Sequence, residues 1–233
     1  MTSTQNSTDF DDTYDDLLEG LDPSLADGFK ISYEREIPLE IRACLDSKSS
    51  SAAFNDANSR PNVESIKVKL LVLGSNDSPT VVRLELSSEA DLFFHYMHII
   101  DESAFREIQH SQKLMVDFAD YPNVLIRMLN ACVREPHIHL GLFSLLSENE
   151  ASLNFIQNME YKFVELMSCN CTQSPAEVIQ NQITYRYNAM KQKVSILNTR
   201  LHEINSLVKT KNPSLLLQLQ KTNNGSASSE KRR

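Results

Sequence analysis

The sequence predicts an α+β chain whose mainly β head is followed by one long C-terminal helix. Three observations carry that prediction. Period-2 apolar alternation recurs between residues 29 and 173, the signature of strands with one buried face. Two amphipathic helical segments interrupt those strands. A 4–3 apolar repeat then runs over Ile183–Val208 with no glycine or proline to break it.

The chain has 233 residues, 41% of them apolar, enough for one ordinary core plus polar extensions. Its formal net charge of −8 argues against a protein that coats nucleic acid by neutralising phosphates. The acids are concentrated at the start. Asp9, Asp11, Asp12, Asp15, Asp16, Glu19, Asp22 and Asp27 stand in residues 1–28 without one base. That stretch is expected to be an acidic, disordered tail. Phe10, Tyr14, Leu17, Leu18 and Leu21 recur in it at helical spacing, a pattern that suits a docking motif for a basic partner or a plain solubilising tail.

Residues 29–173 are assigned to the head. Ile37, Leu39, Ile41, Ala43 and Leu45 alternate with polar positions, and Pro38 among them predicts an edge strand. VESIKVKLLVLG and TVVRLEL follow as a hairpin joined by a slightly long loop over Gly74–Pro79. DLFFHYMHII reads as a strand covered on both faces. Asp101 caps the helix ESAFREIQ by accepting from its first free N–H groups. LMVDF is a short extended piece in which Asp117 is expected to cap backbone amides. Pro122 suits the first position of a second helix, and Tyr121, Leu125, Met128, Leu129 and Cys132 make one apolar stripe along it. HIHLGLFSLL is a strand, and SLNFIQ and YKFVELMS form a hairpin around Asn158–Glu160.

Ser174-Pro175-Ala176-Glu177 combines a capping box with proline at the first helical position. The helix it opens is assigned to 174–212 as a parallel coiled-coil stub, ended by Pro213. Residues 213–233 are expected to be a flexible tail, with the chain stopping short of a longer rod. Tyr187, Val194, Leu201 and Val208 take the a positions of the seam, and Ile183, Met190, Leu197 and Ile204 the d positions. In a parallel dimer Arg186 would face Lys191, Lys193 would face Asn198 and Arg200 would face Asn205. No flanking ion pair supports the seam, so the stub is expected to dimerise weakly.

No catalytic arrangement is present. Phosphate-binding glycine loops, GxSxG, HExxH and paired CxxC motifs are all missing, and an enzyme is not expected. His137-x-His139 and Cys169-x-Cys171 would each point two ligands to one strand face, but neither spacing suits zinc, so no metal or cofactor is expected. Without a basic-plus-apolar leader or an 18-residue apolar run, no secretory signal or membrane span is expected. The cysteines (Cys44, Cys132, Cys169, Cys171) are therefore expected to be free thiols in a reducing compartment.

The aromatic pair Phe93 and Phe94, the residues Asp101, Glu102 and Phe105, and above all the run Gln112, Leu114, Met115, Val116, Asp117, Phe118 make the head resemble the N-terminal domain of the spindle assembly abnormal protein six family, the centriolar cartwheel scaffolds. The resemblance continues through Tyr121, Pro122, Leu129 and Cys132, with Pro38-Leu39 and Leu153-Asn154 as outlying matches. It covers roughly residues 30–210. It implies a small β-sandwich or barrel with a helical insert, then a parallel coiled-coil dimer. It also implies a head-to-head contact through an apolar residue at the late hairpin's tip, which is Tyr161 here. The family commonly has phenylalanine there, and a tyrosine adds a hydroxyl that needs a partner.

Two weak two-fold contacts whose axes differ generate a chain or a closed ring, here the cartwheel hub. The partners implied are further copies of the chain and other centriolar proteins, without membrane or nucleic acid. The implied location is cytoplasm and cytoskeleton, at the centrosome and centriole. A related head-plus-coil scaffold of DNA end-joining repair shares the architecture; Lys191, Lys193, Arg200, Lys209 and Lys211 are the residues that would favour it.

Overall fold

The computed structural model describes residues 22–43, 62–75 and 78–211. Among them seven strands close into a barrel in the order β1-β2-β3-β4-β7-β6-β5. The strands are β1 (Lys30–Ala43), β2 (Val63–Ser75), β3 (Ser78–Ser88), β4 (His95–Asp101), β5 (His139–Leu145), β6 (Glu150–Met159) and β7 (Lys162–Gln173). The β1–β5 pairing is parallel and the others are antiparallel. Between β4 and β5 lie α1 (Glu102–Gln112), a 3-10 turn over Phe118–Asp120, and α2 (Tyr121–Arg134). The long helix α3 spans Ala176–Lys211. The mainly β head with its helical insert and following helix is therefore as expected, in its barrel form.

Strand alternation fills the interior. Ile37, Leu39, Val68, Leu70, Leu84, Leu86 and Phe143 are fully buried in one core. Phe94, Tyr96 and Phe143 form a three-ring cluster with centroids 5.0–5.3 Å apart. The stripe of α2 seals one side, with Tyr121, Leu125, Leu129 and Cys132 buried. Asp101 caps α1 as its position foretells, its Oδ1 accepting from the Ala104 amide at 2.8 Å.

Several local expectations are corrected. Closure leaves β1 no free edge as a whole. Pro38 instead stands one residue ahead of the parallel ladder that pairs Leu39–Ala43 with Gly141–Leu145, so its missing N–H falls where that ladder has not begun. The β2–β3 loop is short, because pairing continues to Ser75↔Ser78. The strand expected over DLFFHYMHII starts only at His95. Asp91 Oδ1 accepts from the Phe93 amide, and Ser88 Oγ from the amides of Ala90 and Asp91. This turn sends Phe94 into the core and leaves Phe93 68% exposed. Asp117 precedes the 3-10 turn, but its carboxylate makes no capping hydrogen bond.

The expected tail over residues 1–28 is corrected at its C-terminal end. Pro23–Gly28 is a 3-10 segment whose N-cap Asp22 accepts from the Ser24 amide at 2.9 Å. Asp22 and Ser24 are buried, because Asp22 pairs with Lys69 and Ser24 bonds Glu85. Residues 1–21, with the candidate docking motif, lie outside the described residues, as do Cys44, Leu45 and the tail over 213–233. The compact unit that contains the barrel extends to Ile183, and the helix from Thr184 belongs to a second unit. No helix among the described residues is long and apolar enough to cross a membrane.

Candidate self-assembly surfaces

The ladder of β6 and β7 reaches Met159↔Lys162, so its turn is Glu160-Tyr161, where Asn158–Glu160 was expected. A side chain in a two-residue turn has no neighbouring strand to cover it. Tyr161 is accordingly 93% exposed, with Met159 and Phe163 half-exposed on either side. The stem beneath is fastened. The Asn158 amide donates to the Ile138 carbonyl at 2.6 Å, and Asn158 Nδ2 donates to the His137 carbonyl at 3.1 Å. A register shift between Phe155 and Ile156 marks a bulge, the device that bends a hairpin away from its sheet.

A concavity of about 370 Å³ opens between α1 and the 3-10 turn. Phe105 and Phe118, with rings 5.4 Å apart, and Pro79 line it but are themselves buried, so the surface it exposes is mainly polar. Its rim is polar. Arg106 pairs with Glu102 at 2.7 Å, and Gln109 Nε2 donates to the Val116 carbonyl at 2.7 Å. Asp117 lies on the same rim. Nothing in the sequence pattern marks this cleft, because its walls come from the β3 start, one helix face and a loop. The family-like Gln112–Phe118 run borders it.

In the second unit, Tyr187, Met190, Val194, Leu197, Leu201 and Ile204 each leave more than half their surface exposed, and Val208 is half-buried. The apolar stripe expected at 4–3 spacing is thus an uncovered face of one helix. Ile183, the first seam position in the sequence, is half-buried and falls in the barrel unit.

The interior polar groups serve packing. His98 bridges two elements: Nδ1 lies 2.7 Å from the Asn170 carbonyl and Nε2 lies 3.0 Å from the Tyr121 hydroxyl. A carbonyl can only accept, so Nδ1 carries the proton and Nε2 accepts from tyrosine. Burial lowers the His98 pKa and holds the ring neutral. Burial also pushes the thiols of Cys132 to about 11 and Cys169 to about 12, and raises those of Cys171 and the Tyr121 phenol. Protonated, buried thiols are neither nucleophiles nor metal ligands. His137, expected in a strand beside His139, instead sits in an exposed turn. Among the described residues no three His, Cys, Asp or Glu side chains converge as metal ligands would.

The family profile of the centriolar protein SAS N-terminal domain matches residues 31–171, the barrel with its helical insert. The chain belongs to that family. Among curated SAS-6 relatives, it is 26% identical over 141 residues to the spindle assembly abnormal protein 6 homolog of Gallus gallus, covering 57% of this chain and 21% of that protein. To the Danio rerio homolog it is 23% identical over 156 residues, covering 64% and 25%. The chain thus spans about a quarter or less of the length of these relatives. An N-terminal fragment of Leishmania SAS-6 that includes parts of its coiled-coil domain superposes with a TM-score of 0.62 at 18% identity, covering 81% of this chain and 99% of that one. An N-terminal fragment of Drosophila melanogaster Sas-6, dimerised via its coiled-coil domain, gives 0.62 at 17%, covering 91% and 98%. At such identities the likeness speaks for the fold.

Proposed function

We propose that this chain is the head and rod root of a non-enzymatic scaffold that assembles with copies of itself into the cartwheel hub, in centriole assembly and duplication. The observation that carries the reading is Tyr161, a bare aromatic ring on a two-residue turn of a fastened hairpin. A ring displayed this way is suited to insertion into a neighbour. The cleft between α1 and the 3-10 turn is a concavity beside the family-like run, and its polar lining offers the phenol hydroxyl a partner. The second contact is a parallel pairing of the exposed helix face through Tyr187, Met190, Val194, Leu197, Leu201, Ile204 and Val208, with Ile183 at its root.

Burying one aromatic ring contributes about 1.5–3 kcal/mol, less than association costs in lost freedom. Head contacts alone are therefore weak, and extended assembly depends on both contacts acting together. Location at the centriole and association with other centriolar proteins follow from the same reading. Family membership favours it over an end-joining scaffold, for which a mobility shift of DNA at physiological salt would be required.

The test is sedimentation velocity of the chain at rising concentration. Tyr161→Glu should remove species larger than a dimer and leave the helix-mediated dimer. Unchanged higher oligomers would sink the head-to-head contact.

A further inference from the structure

A buried polar cluster lies outside both surfaces, where the N-terminal segment crosses the outer face of β2 and β3. Side chains of a strand alternate between faces, so Lys69, Arg83 and Glu85 point away from the core residues Leu70, Leu84 and Leu86. Outward charges normally meet water, yet Lys69 and Glu85 are buried. The segment Asp22–Phe29 is what covers them. Asp22 pairs with Lys69, the Phe29 ring lies 4.0 Å from the Arg83 guanidinium, and the Ser24 carbonyl accepts from Arg83. Arg83 in turn pairs with Glu85 at 3.0 Å.

Ser24 is the centre of this arrangement. Its hydroxyl donates to Glu85 Oε2 at 2.6 Å and accepts from Gln182 Nε2 at 2.7 Å. Ser24 is 1% exposed and Gln182 6%. One oxygen therefore joins the barrel wall to the first turns of α3. It can do so with both bonds satisfied, because a hydroxyl gives one proton and accepts others. Burial raises the Glu85 pKa, while the Ser24 hydrogen bond and the neighbouring Arg83 and Lys69 charges pull it down.

We infer that Asp22–Phe29 is a clasp that fixes the root of the long helix to the barrel, with Ser24 as its pin and Gln182 as the helix group it catches. A second fastening supports the same root. Ser174 Oγ lies 2.6 Å from His95 Nδ1, and the Ser174 amide donates to the His95 carbonyl at 3.0 Å. The clasp lies within the compact unit, which ends at Ile183. Cover for the β2–β3 face needs only bulk; registration of the helix needs the hydroxyl.

Hydrogen exchange on the full chain separates these roles. Ser24→Ala should accelerate the amides of Ile179–Ile183 about five- to ten-fold, the scale of one lost buried hydrogen bond, and leave Leu70 and Leu84 unchanged. Gln182→Ala should do the same, and the double variant should add nothing beyond either one. Unchanged helix-root amides in Ser24→Ala, or effects that multiply in the double variant, would overturn the clasp. Where Ser24→Ala fails to fold, Gln182→Ala reads the contact from the other side. It should accelerate the amides of Leu25–Phe29, and their staying protected overturns the proposal equally.

Discussion

The side-chain amide of Gln112 makes to Ser168 both of the hydrogen bonds that a neighbouring strand would make. Gln112 Nε2 donates to the Ser168 carbonyl at 2.8 Å, and Gln112 Oε1 accepts from the Ser168 amide at 2.9 Å. The pairing matters because β4 and β7 meet over only Tyr96↔Gln173 and Met97↔Thr172. Below that point the edge of β7 would present unpaired backbone groups. Gln112 takes Ser168, and His98 takes the Asn170 carbonyl. Two side chains thus complete a seam that backbone pairing leaves open.

Gln112→Ala should therefore destabilise the barrel by about 1–3 kcal/mol, the cost of leaving partly buried backbone groups unsatisfied. For a chain of this size, at about 2–4 °C per kcal/mol, that lowers Tm by roughly 2–12 °C. Gln112→Glu should be no better, since a carboxylate can accept from Ser168 but cannot donate to its carbonyl. Thermal unfolding followed by circular dichroism checks both.

Stability should fall as pH drops below the ordinary histidine range. The folded His98 pKa is lowered by burial, so below about 6.5 the unfolded chain binds a proton that the folded one refuses. The contribution is complete above that value and declines as pH falls through it towards the folded pKa. Glu85, raised by burial, contributes with the opposite sign in the acid range. The informative quantity is therefore the difference in urea midpoint between the native chain and His98→Phe from pH 7.5 to 5. That difference should shrink as the pH falls; a constant gap would refute the assignment.

A side chain at Gly141 would press on Leu39. A Cβ there would lie 2.4 Å from Leu39 Cδ2, and Leu39 is fully buried at the first pair of the parallel ladder. Gly141→Ala should cost about 1–3 kcal/mol as overpacking. Leu39→Ala in the same chain should relieve part of that penalty, giving a non-additive pair in denaturant titrations.

Charges on the helix face should separate its association from barrel stability. With Leu197→Asp and Leu201→Asp together, concentration-dependent dimers should weaken by at least about 100-fold, since burying unpaired carboxylates is unfavourable. The barrel's melting temperature should not move. Sedimentation equilibrium and calorimetry on the same samples decide the matter.

What was legible in the sequence was local. The Asp101 cap, the Tyr121–Cys132 stripe and the long helix that follows Pro175 each rest on residues close in the chain, and each is present in the structure. Several misreadings involve partners far apart in the chain, and others a local turn that periodicity does not show. Asp22 looks like one more acid of a soluble tail until Lys69, 47 positions on, is brought beside it. Gln112 has no periodic signature, and its partner lies 56 positions away. Phe93 and Phe94 alternate as strand residues should, but the Asp91 turn decides which of them enters the core. Tyr161 gave no signal beyond its place beside a turn, and only the family resemblance singled it out.

β7 links these regions covalently. It begins next to Tyr161, passes the Gln112 anchor at Ser168, and ends at Gln173, with Ala176 opening the long helix three residues later. Twelve strand residues, roughly 40 Å of extended backbone, thus form a single tie-bar between the exposed ring and the helix root. A pull applied between those ends would load the β6–β7 ladder lengthwise, so that its hydrogen bonds share the force rather than unzip one after another.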